Sequence, residues 1–219
     1  MLVSDYLSHI TKGEVKQLYL SDIGTTSPNA VQQANIDTLI TYINEANLEL
    51  HKHFGLIQKE YVLTDVTNNS LHSIPTDFLY AISATFDDGR EVAINNERTN
   101  FIDDIDYNVS VLFPSPFRAL VKGLDTKSPP KDDISIVYVS IPAVVTLTTE
   151  FIDLPQVYNE ALYNYVAYKA HASVKGDMKA ENNTYYLRYN ESIKNIRLLG
   201  MKNSDNLDSN VKLTDRGFV

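Results

Sequence analysis

Apolar residues recur with two different periods along this chain, and the changes of period divide it into zones. Ile36, Leu39, Ile40, Ile43, Ala46 and Leu50 stand at helical spacing, with Asp37, Thr41, Asn44, Glu45 and Lys52 on the opposite face. Ser27-Pro28 ahead of this run is a helix-start signal, because Ser caps free amide groups and Pro fits a first turn. Gly55 after Phe54 is a natural stop. The pattern predicts one amphipathic helix of roughly seven turns. A weaker helical pattern upstream (Leu7, Ile10, Val15, Leu18) is interrupted by Gly13 and predicts short helices.

Beyond Leu56 the period shortens to two. Residues 61–63, 81–86, 109–113, 117–121 and 134–141 read as strands, and Asp88-Gly89 between Phe86 and Val92 is a hairpin signal. Pro114, Pro116, Pro129, Pro130 and Pro142 fall between these runs or at their ends, where a missing backbone donor does least harm. In residues 134–141, Ile134, Ile136, Tyr138 and Ser140 alternate with Ser135, Val137, Val139 and Ile141, the mark of an inner strand. About six short strands predict a small antiparallel sandwich or barrel. Helical spacing returns after Leu154-Pro155. Residues 157–174 are apolar around most of the circumference, which predicts a helix buried on several sides. Lys175-Gly176-Asp177 marks a turn into a second helix over 180–199 that carries Tyr186, Tyr189, Ile193 and Ile196 on one stripe and ends at Gly200.

The expected fold is therefore α+β. A long N-terminal helix and a C-terminal antiparallel helical hairpin (1–55 and 154–200) enclose an inserted antiparallel β sandwich or barrel module (56–153). A polar, extended tail (201–219) follows. The tail is too polar for a core of its own, yet it ends in alternating apolar and charged residues that include Leu213, Arg216, Phe218 and Val219. The expectation is a tail that orders only against a partner.

Composition narrows the function. The 19 Lys plus Arg against 28 Asp plus Glu give a net charge of -9, unsuited to wrapping nucleic acid with the whole surface. The deficit lies in residues 1–156, with 10 basic and 21 acidic side chains, whereas residues 157–200 are mildly basic. Asp103, Asp104 and Asp106 are among the acidic side chains of this part. Cysteine is absent, which excludes a disulfide framework, a thiolate nucleophile and Cys-ligated metal. No apolar run approaches the ~20 residues that span a bilayer. Residues 1–10 hold Asp5 and His9 and lack the basic start of a secretory signal, so the protein is expected to stay in the cytosol where it is made. The 14 Tyr and 8 Phe with no Trp favour surfaces exposed first and buried on assembly.

Catalytic motifs are missing. The 8 glycines are scattered singly, so no phosphate-binding loop exists, and no nucleophile elbow or His-Glu-x-x-His helix occurs. Asp103-Asp104-Ile105-Asp106, with Glu97 upstream, is the nearest approach to a metal site but lacks calcium-loop spacing; it reads as a solvated acidic loop. His51 and His53 are two apart and fall on different helix faces, and His171 reads as a hydrogen-bonded core residue. No cofactor or metal is expected, and a metal-dependent hydrolase built on residues 103–106 is a remote alternative.

The third zone carries a resemblance. Glu160-Ala161-Leu162-Tyr163-Asn164-Tyr165-Val166-Ala167-Tyr168-Lys169-Ala170-His171-Ala172 leads through Gly176-Asp177 to Lys179-Ala180-Glu181-Asn182-Asn183, then Tyr185-Tyr186-Leu187-Arg188-Tyr189. This resembles the C-terminal part of head–tail adaptor (connector) proteins of tailed bacteriophages, of podovirus-like type. Ser73-Ile74-Pro75-Thr76-Asp77-Phe78 is similar to that family's strand-entry segment. The resemblance implies a structural virion protein without catalytic residues. It implies a dodecameric ring below the portal at the head–tail junction, with portal protein on one side and a tail protein, nozzle or tube, on the other. Double-stranded DNA would pass through without specific binding, and no membrane is involved. It also implies that the C-terminal segment reaches the portal. Tyr165, Tyr168, Tyr186 and Tyr189 are the candidates for helix or subunit packing. A tail-tube or baseplate protein with a β-sandwich domain is the alternative reading.

Overall fold

The computed structural model describes residues 1–13, 15, 30–95, 105–123, 133–175 and 183–199. The chain divides into two compact units: Leu56–Ile141 forms one, and Met1–Gly55 with Pro142–Val219 forms the other. Among the described residues the architecture is mixed α+β, with four α-helices and one seven-stranded sheet.

In the helical unit, α1 (Val3–Lys12) buries Val3, Tyr6, Leu7 and Ile10 and ends at Gly13, whose N–H donates to the His9 carbonyl at 3.1 Å. A helix start leaves amide donors without intrahelical partners. Here Val3 and Ser4 N–H donate to the carbonyls of Glu150 and Thr148 at 3.0 and 2.9 Å, and Leu2 bridges to Phe151. Helix α2 (Ala30–Phe54) buries the anticipated stripe of Ile36, Leu39, Ile40, Ile43, Ala46 and Leu50. Gly55 stops it at φ 57°, its N–H 2.8 Å from the His51 carbonyl. The start signal Ser27-Pro28 lies outside the described residues.

The polar face of α2 is less solvated than its pattern suggests. Asn44 exchanges two hydrogen bonds with the backbone of Val145, at 2.8 and 2.9 Å, and Glu45 pairs with Lys169 at 2.9 Å. Asn47 and His51 are fully enclosed. A short 3-10 turn, Gln156–Tyr158, leads into α3 (Asn159–Lys175), whose described side chains are buried or half-buried except Glu160 and Ser173. Helix α4 (Thr184–Leu198) begins later than expected because Asn183 caps it, accepting the Tyr185 N–H at 2.9 Å. Gly176, Asp177, Ala180 and Gly200 lie outside the described residues.

The strand-rich unit holds β1 (Gln58–Leu63), β2 (Leu71–Ser73), β3 (Phe78–Phe86), β4 (Glu91–Ile94), β5 (Ile105–Ser115), β6 (Arg118–Lys122) and β7 (Ile134–Ser140). They form a single sheet of order β1-β7-β3-β4-β5-β6-β2. Of the sandwich or barrel expected, this excludes the sandwich of two stacked sheets. It also corrects a wholly antiparallel pairing, because β4 and β5 run parallel while every other pair is antiparallel. The sheet curls so far that Tyr61 of edge strand β1 donates its hydroxyl to the Ser73 carbonyl of edge strand β2, at 2.9 Å. Leu63, Ala84, Phe86, Val92, Ile94, Val109, Val111, Ala119, Val121, Ile134 and Ile136 fill the inside of the curl.

Local signals hold where they were strong. Strand β7 is inner, flanked by β1 and β3, and the Asp88-Gly89 turn joins β3 to β4 with Gly89 at φ 87°. Asp88 fixes the turn by accepting the Arg90 backbone N–H at 3.0 Å. Pro114 lies within β5 and not between strands; the register shifts between Leu112 and Ser115, so the ladder does not need its missing N–H.

Candidate functional site

Three constructions stand out among the described residues. The first is a layer of tyrosines between α3 and α4. Tyr165 meets Tyr189 at 5.2 Å edge-to-face, Tyr168 meets Tyr186 at 5.1 Å, and His171 stacks on Tyr185 at 4.8 Å. Rising numbers on one helix pair with falling numbers on the other, so the two helices run antiparallel. Lys169, held by Glu45, also lies over the Tyr165 ring at 5.6 Å, which ties the layer to α2. All four anticipated tyrosines thus meet within one chain. Burial raises the pKa of Tyr165 and Tyr189 above the usual phenol value, most strongly for Tyr189. These hydroxyls are neutral contact groups over the physiological range.

The second is a knot of polar groups around Asp77 in the strand-rich unit. Its carboxylate accepts from Lys59 Nζ of β1 at 2.5 Å, and from the Tyr138 hydroxyl and Ser140 Oγ of β7 at 3.1 Å each. Its carbonyl accepts the Ile141 N–H at 2.7 Å. The hydrogen bond from Lys59 is the chief reason that its carboxyl lies below the ordinary carboxylate range. Phe78, beside it, stacks on Phe113 at 4.9 Å and Tyr138 at 5.2 Å. The Pro75-Thr76-Asp77-Phe78 segment therefore pins the entry of β3 to two other strands. Sequence spacing gave no sign of those partners, which lie 18 and about 60 residues away.

The third is the segment from Pro142 to Ile152, which carries no strand beyond its bridge to Leu2. It is nonetheless tightly tied. Asn44 clamps Val145, Glu150 Oε2 accepts the backbone N–H groups of Thr146 and Leu147 at 2.5 and 3.0 Å, and α1 begins on its carbonyls. Those amide donors hold the Glu150 carboxyl below its ordinary value. On this fixed backbone Val144, Leu147 and Phe151 are 68, 59 and 69% exposed. Periodicity could not single them out, because the segment has none.

Other anticipated residues are not brought into a site. Asp103, Asp104, Leu213, Arg216, Phe218 and Val219 lie outside the described residues, and Asp106 belongs to β5 but its side chain is not among those described. His51 is fully enclosed, and burial lowers its basicity. His53 is half-buried and 3.1 Å from Arg197, so the two imidazoles do face different surroundings. An open depression along α1 is lined by Asp5, Ser8, His9, Lys12 and Gly13. Among the described residues no three His, Asp or Glu side chains group to hold a metal ion, and no helix is long and apolar enough to cross a membrane.

No curated protein matches the sequence. The family model described as SU10 adaptor protein matches residues 11–212, nearly the whole chain, and the protein belongs to that phage head–tail adaptor family.

Proposed function

We propose that this structural phage adaptor forms a ring below the portal, through which double-stranded DNA passes during genome ejection. In this reading the ring holds portal protein on one side and a tail component, nozzle or tube, on the other. The observation that carries it is the exposure of Val144, Leu147 and Phe151 on one short hydrogen-bonded segment. Three large apolar side chains on a backbone fixed by hydrogen bonds are costly for a solitary protein, whereas a ring subunit buries such a patch against its neighbour. The rings of Tyr165, Tyr168, Tyr186 and Tyr189 already pack against one another across α3 and α4, so the reading does not rest on them.

The remaining assignments rest on charge and on the family resemblance. Twelve copies match the symmetry expected of a portal. The acidic balance of residues 1–156 suits walls that DNA slides past, with Asp103, Asp104 and Asp106 as lining candidates. The tail 201–219 is the portal-docking element, through Leu213, Arg216, Phe218 and Val219. The test is to mix the protein with portal-bearing heads that lack it and to sediment the heads. The expected result is a fixed number of bound copies per head for the wild type, and loss of cooperative filling for Leu147→Ser with Phe151→Ser. Failure to co-sediment, or full binding by the double variant, overturns this reading.

A further inference from the structure

Helix α4 has a second face that the hairpin does not use. It turns Tyr189, Ser192, Ile193 and Ile196 inward. Leu187, Glu191, Lys194 and Leu198 point the other way, and the two leucines are 55 and 75% exposed. At about 100° of rotation per residue these four fall within roughly 60° of one another, as one straight stripe. Among the described residues neither Glu191 nor Lys194 has an ion-pair partner in its own chain.

Read along the helix, the stripe runs apolar, acidic, basic, apolar. Turned end for end, it runs apolar, basic, acidic, apolar, with the same spacing. We propose that α4 pairs antiparallel with α4 of a second copy of this chain, about a twofold axis that passes between Ser192 and Ile193. In that register Leu187 faces Leu198 and Glu191 faces Lys194, each twice. Like charges never meet on the stripe. Arg188 and Arg197 fall on opposite flanks of it, and both are engaged in their own chain, over the Tyr185 ring at 5.9 Å and on His53 at 3.1 Å. Helix ridges at this spacing suit the close approach of an antiparallel pair.

Such a pair is isologous and closes at two copies, so it cannot by itself propagate a ring. It is a property of the free protein and does not depend on the ring reading. Four leucines and two ion pairs make a small interface, so the dimer is weak and concentration-dependent.

Sedimentation velocity on the free full-length chain, over roughly 1 µM to 1 mM, reads the monomer–dimer equilibrium. Glu191→Lys and Lys194→Glu each place like charges opposite one another and should weaken the dimer about tenfold. The double swap restores complementarity and should recover wild-type affinity. All of these side chains are exposed, so folding, checked by the far-UV helical signal, is unaffected. A second readout fixes the register, and the absence of native cysteine makes it clean. Leu187→Cys mixed with Leu198→Cys should form the mixed disulfide in preference to either like pair. A monomer throughout the range, a dimer indifferent to the charge changes, a double swap that does not recover, or like disulfides forming as readily as mixed ones overturns the proposal.

Discussion

Replacing Tyr189 by Phe should stabilise this protein, although the residue sits at the centre of its tyrosine layer. Tyr189 is 4% exposed, and its hydroxyl has no hydrogen-bond partner among the described residues. A buried hydroxyl without a partner costs about 1–3 kcal/mol relative to water. The ring itself is well placed, edge-to-face with Tyr165 at 5.2 Å and tilted against Tyr186 at 6.3 Å, and such contacts contribute about 0.5–1.5 kcal/mol each. Phe keeps the ring and removes only the stranded oxygen. The expected gain is about 1 kcal/mol, a rise of about 2–4 °C in Tm for a chain of this size. Tyr189→Ala, which removes the ring as well, should cost about 3–5 kcal/mol. Urea unfolding followed by the far-UV helical signal reports on the helical unit that contains the layer. A Phe variant that loses 1 kcal/mol or more would show that the hydroxyl has a partner, and the packing account given for this layer would be wrong.

Two further outcomes follow from charged and titratable groups. Asp77→Ala removes the acceptor shared by Lys59, Tyr138 and Ser140 and should destabilise the strand-rich unit by about 1 kcal/mol, the exposed ion pair adding little. Because the folded-state carboxyl of Asp77 titrates below its unfolded value, its contribution is complete above the ordinary carboxylate range and is lost as pH falls through the folded value, a loss absent from the Ala variant. His51 is enclosed, with neither ring nitrogen hydrogen-bonded among the described residues, and desolvation outweighs the attraction of Asp153. Its folded basicity is thus below that of the unfolded chain, so stability should decline as pH falls below about 6.5 and flatten below the folded value, and His51→Leu should reduce that slope in thermal melts at successive pH values, leaving the share of half-buried His53, whose basicity burial also lowers.

What could be read from the sequence was what depends on near neighbours. The stripe from Ile36 to Leu50, the stops at Gly13 and Gly55 and the Asp88-Gly89 turn each follow from the steric and hydrogen-bonding preferences of a few adjacent residues. The inner position of β7 followed from its nearly continuous apolar character. What escaped depends on distant partners. The parallel run of β4 beside β5, the three-residue edge strand β2 and the tolerance of Pro114 inside β5 are set by which strand lies alongside, and periodicity carries no such information. The same holds for polar residues. Asn44 and Glu45 looked solvated from their helical phase, yet each is held by a group more than 100 residues away.

The tyrosines show how this limit bears on function. Their abundance pointed to a surface awaiting a partner, and the adaptor family makes assembly the expected theme. In the structure, Tyr165, Tyr168, Tyr186 and Tyr189 are joined to one another across α3 and α4, and Lys169 and Glu45 fasten that pair of helices to α2. These ring contacts between α3 and α4 are therefore made within one chain. Apolar surface remains at Val144, Leu147 and Phe151, and at Leu187 and Leu198, on backbone already fixed by hydrogen bonds or helix. Docking such surfaces requires little reordering, so most of the entropy cost is met when the chain folds rather than when it assembles. Tyrosine thus serves the fold of the helical unit, while the exposed apolar side chains stand on backbone that is already ordered.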